Sequence, residues 1–265
     1  MISFTAFKLF ILIVYVWFAV GIAVISVFAI RELFSWFKVP NEHISQSIQK
    51  GPRKNYEMKC NVVCIQTYPK MNQKEENLSH METLLRKAME SHPDTQLIVF
   101  PELAVTGYQC GENFKDLAET ATIDSTSIKK MSALAKEFHV HIVYGMAEKE
   151  EDILYNSQFF LDDTGVLLGT YRKVHLFDSE KNYFTPEDQF KVFDTKIGRI
   201  GLFICYDAFF PEVARILDPL GMILASINDE KDGIIHASLD YDIAKQMKHD
   251  YYTMLTERRP DVYIA

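Results

Sequence analysis

The sequence predicts an α/β domain, its sheets covered by helices, behind an N-terminal membrane anchor. Three observations predict it. Short apolar runs alternate with helical periodicity early in the chain, and strand pairs follow later. Of the 265 residues 48% are hydrophobic, enough for a substantial core. Residues Leu9–Ile30, "LFILIVYVWFAVGIAVISVFAI", form a run of 22 without a charge.

That run comes first. At roughly 1.5 Å per residue it spans about 33 Å as a helix, and a bilayer core is roughly 30 Å thick. A cleaved signal has a shorter apolar region and a small-residue cleavage site, which "FAIRELFSWF" does not offer. Residues 1–37 are therefore read as a retained anchor, with a transmembrane helix at about 9–30. Lys8 precedes the span, whereas Arg31, Lys38, Lys50, Arg53 and Lys54 follow it. The basic flank places the rest of the chain in the cytoplasm. Trp36 and Phe37 suit the membrane interface. Residues 38–57 are polar, with prolines and a glycine, and read as a linker. The domain proper is 58–265.

It opens with a strand, "KCNVVCIQ" at 59–66. Leu78, Met81, Leu84, Leu85, Ala88 and Met89 then recur at helical spacing. "TQLIVF" at 95–100 suits a buried strand, stopped by Pro101. A second helix begins near Ser125, with Ile128, Met131, Leu134, Ala135 and Phe138 on one face. "VHIVYGMA" at 140–147 is a strand, and 155–173 reads as two strands joined by a turn at Asp163-Thr164-Gly165. "GRIGLFICYD" is a further strand, and "GMILASIN" and "GIIHASLD" make a last strand pair.

Composition removes several functions. A net charge of −8 is not the electrostatic footprint of a nucleic-acid binder. Cys60, Cys64, Cys110 and Cys205 make no disulfide framework at this length and no C-x-x-C pair. Without a second Cys/His cluster, no metal site is expected.

Strand ends are where such folds build sites. Three stand out: the ends at Glu102, at Lys173 and at Cys205. A thiol needs a base or a cation to become a nucleophile. Glu102 would serve as the base, and Lys173 as the cation that also steadies an oxyanion. His175 would share a face with Lys173 if the strand continued, and is the usual first guess for a cysteine's partner. Each also has a structural reading: a solvated loop for Glu102, a strand-end charge for Lys173, a packed histidine for His175, a buried core thiol for Cys205.

The local strings are more specific. "LIVFPELAVTGY" at 97–108, "GTYRKVHLFD" at 169–178 and "GRIGLFICYDAFFPEVARIL" at 198–217 resemble the nitrilase superfamily of carbon–nitrogen hydrolases, in the family's order. The resemblance runs from about residue 59 to the C-terminus. It implies an αββα sandwich with a Glu-Lys-Cys triad: Glu102 the general base, Lys173 the stabiliser of the tetrahedral intermediate, Cys205 the nucleophile. Glu180, ahead of "YFTPED", matches a second family glutamate that positions substrate or triad, and Glu187 stands where the family has glycine. A backbone N–H near Tyr206 would join Lys173 at the oxyanion. His175 falls at a structural family position. The implied substrates are small amides, carbamoyl compounds or nitriles, with no cofactor and no metal. The resemblance also implies dimers or larger homo-oligomers.

The chain departs from the pattern once. Leu217 is followed at once by "DPLGMILA", where the family carries an intervening block of strands and a helix. The resemblance therefore implies a sandwich incomplete between Leu217 and Asp218. Two other functions stay open: a catalytically impaired, membrane-tethered binding module, and a membrane-linked acyltransferase.

Overall fold

A computed structural model describes residues 59–210, 213 and 232–240. The anchor at 9–30, the linker at 38–57 and "GMILASIN" at 221–228 lie outside the described residues. Among the described residues no helix is long and apolar enough to cross a membrane.

The main sheet has six strands: β1 (Lys59–Gln66), β2 (Leu97–Val99), β3 (His141–Glu150), β4 (Ile153–Leu161), β5 (Leu167–Arg172) and β8 (Gly233–Asp240), in spatial order β5-β4-β3-β2-β1-β8. β1 pairs parallel with β2, and β2 with β3. The β3–β4, β4–β5 and β1–β8 pairs are antiparallel. A second, two-stranded sheet joins β6 (Val192–Thr195) to β7 (Gly198–Gly201). Three helices complete the described part: α1 (Lys74–Ser91), the short α2 (Phe114–Leu117) and α3 (Thr126–Phe138).

The two long helices follow from their apolar spacing. Leu78, Met81, Leu85 and Ala88 of α1 and Ile128, Met131 and Ala135 of α3 are fully buried against one face of the main sheet, around Val63, Ile98, Ile142, Tyr144 and Phe159. The other face, with Val62, Leu97, Val99, Val143, Phe160 and Tyr171, meets Ile197, Ile200, Leu202 and Ile204. Both faces of the central strands are covered, so β2 reads as an unbroken apolar run. Helix, sheet and second sheet thus stack in the order of the first three layers of an αββα sandwich.

Some expectations change. The apolar run ahead of Cys205 is paired as a strand only to Gly201, where the ladder with β6 ends; Ile204 keeps an extended backbone, and residues 205–209 form a 3-10 turn. β8 pairs with β1 over eight residue pairs, and its expected pairing with 221–228 falls on residues outside those described. β5 ends at Arg172, so Lys173 and His175 are not on one strand face. The β4–β5 turn forms as expected: Asp162 Oδ1 accepts from the N–H groups of Thr164 and Val166, and Gly165 takes φ +83°.

Candidate active site

Strand direction brings two of the three site residues together. β5 is antiparallel to β4, which is antiparallel to β3, so β5 runs the same way as β2 and β3. Glu102, just beyond β2, and Lys173, just beyond β5, therefore leave the sheet at the same end. β4 runs oppositely and starts there, which puts Asn156 beside them. Its carbonyl accepts the N–H of Lys173 at 2.8 Å.

The loop carrying Glu102 lies hard against β3. Phe100 N–H donates to Val143 O and Val105 N–H to Gly145 O. A Cβ on Gly145 would stand 2.5 Å from Leu103 N and 2.8 Å from Glu102 Cα, so only glycine admits the loop.

Lys173 is completely buried, Glu102 and Glu180 nearly so. Lys173 Nζ donates to Glu102 Oε1 at 2.6 Å and to Glu180 Oε2 at 2.8 Å. Asn156 Nδ2 donates to Glu102 Oε1 at 2.7 Å and Glu180 Oε1 at 2.9 Å. Glu180 Oε2 also accepts the N–H of Phe177 at 2.7 Å. The two carboxylates are thus joined by an ammonium and an amide. Burial removes water from all of them, and the shared donors replace it.

Glu102 Oε2 is buried and accepts no hydrogen bond at ordinary geometry. Next to this carboxylate is the thiol of Cys205. Burial, then Glu102, push the Cys205 pKa up, and the pull of Lys173 does not offset them. Both effects favour the protonated thiol. Cys205 opens the 3-10 turn with φ +44°, a left-handed conformation that costs a non-glycine residue about 1–2 kcal/mol. Burial alone would lower the Lys173 pKa, but Glu102 and Glu180 outweigh it and raise it. Burial, then Glu102, raise that of Glu180 against the pull of Lys173.

The structure brings Glu102, Lys173, Glu180 and Cys205 into one cluster. Tyr206 does not join it through its side chain, whose ring packs on Phe177, Phe209 and Phe210. His175 turns away, bonding to Asp207 and stacking on Phe210 at 3.7 Å. Asn156 and Tyr108 were not anticipated. The signal for Asn156 is the triple Asn156-Ser157-Gln158, polar and buried in the middle of an apolar strand. Tyr108 ends the first motif string; burial, then the charges of Glu102, Glu180 and Cys205, raise its pKa, which places its hydroxyl near the cluster. Among the described residues no group of three or more His, Cys, Asp or Glu side chains could hold a metal ion.

A thiol, a carboxylate with an open acceptor and a buried ammonium, at the end of an α/β sheet, define a centre equipped for nucleophilic attack on an acyl carbon. Residues 61–224 match the family model described as Carbon-nitrogen hydrolase. The chain belongs to the carbon-nitrogen hydrolase family of the nitrilase superfamily. It is 35% identical to a probable nitrilase of Schizosaccharomyces pombe over 267 residues, covering 78% of this chain and 98% of that one. It is 31% identical to an omega-amidase of Saccharomyces cerevisiae, covering 67% of each chain. The crystal structure of Saccharomyces cerevisiae Nit3, a nitrilase-superfamily member, superposes with a TM-score of 0.66 at 23% identity, covering 76% of this chain and 97% of that one. The fission yeast alignment is longer than this chain, yet takes in only 78% of it. That relative therefore carries residues for which this chain has no counterpart.

Proposed function

We propose that the protein hydrolyses the carbon–nitrogen bond of a small amide or carbamoyl compound through a thioester formed on Cys205. The observation that carries this reading is the Glu102 carboxylate next to the Cys205 thiol, with Oε1 tied down by Lys173 and Asn156 and Oε2 without a hydrogen-bond partner. The omega-amidase relative supports an amide, and the probable nitrilase relative keeps a nitrile as the alternative.

In the first step Cys205 Sγ bonds to the acyl carbon while its proton passes to Glu102 Oε2. The carbonyl oxygen gains negative charge, which the Lys173 ammonium and a backbone N–H at Tyr206 stabilise. The C–N bond then breaks, and Glu102 returns the proton to the leaving amine or ammonia. In the second step Glu102 takes a proton from water, whose oxygen bonds to the acyl carbon. The C–S bond breaks and the proton returns to sulfur. A thiol kept protonated at rest suits this scheme, because Glu102 moves the proton only as attack occurs. Glu180 holds Lys173 in place and, with Tyr108, borders the substrate.

The test is ammonia release by the full chain from propionamide, a carbamoyl amine and propionitrile. Cys205→Ala and Glu102→Gln are expected to lose turnover by about 10³-fold or more, since removing one member of such a unit disables it. Turnover by Cys205→Ala within tenfold of the wild type would reject the assignment.

A second reading has its own observation: the fission yeast relative carries residues that have no counterpart here. We place that gap at Leu217–Asp218. If it removes a wall of the substrate pocket, the chain is a binding module of impaired catalysis, and wild type and Cys205→Ala release no ammonia alike. In either reading residues 9–30 anchor the domain to a membrane with the bulk of the chain cytoplasmic. Protease protection in sealed vesicles tests this: cleavage of the domain in right-side-out vesicles contradicts it.

A further inference from the structure

Beside the site described above lies a fully buried carboxylate that has no role in it so far. Asp207 is fully buried, two residues beyond Cys205. Its Oδ2 accepts the N–H of Ile204 at 3.0 Å and the hydroxyl of Tyr171 at 2.7 Å. Its Oδ1 accepts the N–H of His175 at 2.9 Å and the ring Nδ1–H of His175 at 2.9 Å. Tyr171 and His175 flank Lys173 two residues away on either side. Ile204 immediately precedes Cys205. One carboxylate therefore ties the segment that carries the ammonium to the turn that carries the thiol.

We propose that Asp207 is a positioning residue that fixes Cys205 and Lys173 in one register. The proposal rests on the reading of Cys205 as nucleophile and Glu102 and Lys173 as its partners. Two features make such a tie necessary. Cys205 sits at φ +44°, a conformation that persists only where its surroundings enforce it. The two segments also belong to different sheets: Lys173 follows β5, and Cys205 follows β7. No strand pairing among the described residues couples those two strands. The Asp207 hydrogen bonds supply the coupling.

A carboxylate is needed rather than an amide. Each oxygen of Asp207 accepts one backbone N–H, Ile204 on Oδ2 and His175 on Oδ1. The side chain of asparagine has one acceptor oxygen and one NH2 group, so whichever way it is turned one of these N–H groups faces a donor. The Tyr171 hydroxyl can reverse its role; a backbone N–H cannot. Asp207→Asn therefore opens one side of the tie while preserving shape.

The experiment is alkylation of the full chain with iodoacetamide, followed for each cysteine by peptide mass spectrometry across pH. In the wild type, Cys205 labelling is expected to keep rising beyond pH 9, because burial and Glu102 hold its proton. In Asp207→Asn the turn relaxes and the thiol leaves the carboxylate. The midpoint of its profile then falls toward the ordinary thiol value, and labelling at pH 8 rises about tenfold for each unit of that fall. Cys60 and Cys110, both buried, are expected to stay slow, which a general loss of structure would not allow. If Asp207→Asn does not fold, all four cysteines label alike. Tyr171→Phe and His175→Ala, each removing one donor, then carry the test with smaller shifts in the same direction. A Cys205 profile unchanged from the wild type in Asp207→Asn, or in both single-donor variants, overturns the proposal. Glu102→Gln separates this from failure of the underlying reading. It must itself lower the Cys205 midpoint, and if it does not, the triad assignment fails whatever Asp207→Asn does.

Discussion

At Gly145 the absence of one carbon atom decides where Glu102 lies. The loop 101–103 crosses β3 so closely that a Cβ there would meet Leu103 N at 2.5 Å and Pro101 O at 2.6 Å. These are backbone atoms, so no rotamer change relieves the contact. The loop must move, and Glu102 with it. Gly145→Ala is expected to cost about 1–3 kcal/mol of stability, as overpacking does. A displacement of Glu102 by about 1 Å would lower turnover by about 100-fold. Thermal melting and ammonia release measured on the same variant check both. A variant that melts lower yet turns over normally would show that the loop yields without moving Glu102. The same scale explains why Glu102 and Lys173 were legible while Asn156 was not. The first two sit just beyond strand ends in distinctive strings. Asn156 shows only as part of the polar triple in an apolar strand, and what that triple meets depends on β4 running antiparallel to β3 and alongside β5.

Elements show the same division between local and distant causes. Helix α3 was legible from its apolar face, but what starts it was not. Its N-terminus is capped from outside: Glu119 Oε2 accepts the Ser127 N–H at 2.9 Å and the Ser127 hydroxyl at 2.7 Å. Glu119 also pairs with Lys74 of α1 at 2.9 Å, and its own N–H bonds to Ala147 O of β3. One residue ties two helices to the sheet, and a carboxylate near a helix N-terminus also favours the helix dipole. Glu119→Ala removes the cap and leaves a buried N–H unpaired, a loss on the order of 1–3 kcal/mol. Denaturant unfolding measures it, and a change under about 0.5 kcal/mol would mean the cap is replaced by water. Strand β7 was misjudged in extent for a related reason. Residues 200–206 look uniformly apolar and strand-like, but the ladder with β6 stops at Gly201 and Asp207 draws the following backbone into a turn. β6 escaped notice because it is a four-residue strand with little alternation of its own.

Across the whole molecule, buried groups that keep their protons longer than in the unfolded chain set the alkaline limit of stability. Burial raises the pKa values of Cys64 and Tyr144, and burial with Asp207 raises that of Tyr171. Lys173 moves the same way because Glu102 and Glu180 outweigh its burial. For each, the folded value lies above the unfolded one, so its contribution is complete below the unfolded pKa. It is lost as pH rises toward and through the folded pKa. Stability should therefore be level near neutrality and fall from about pH 9 upward. Cys64 isolates one part of this. It lies in β1, packed against the core between the two sheets, with its pKa pushed from about 9 up to about 11. Replacing it by alanine removes the titrating group without touching the site. At pH 8 the wild type is expected to be the more stable of the two, since alanine fills less of the space. Between pH 8 and pH 10.5 that advantage should shrink by about 2 kcal/mol, as the unfolded thiol ionises and the folded one does not. Urea unfolding of both proteins at the two pH values, under reducing conditions, measures the change. A stability difference that stays constant would mean the Cys64 thiol ionises in the folded chain as readily as in the unfolded one, so that β1 does not shield it.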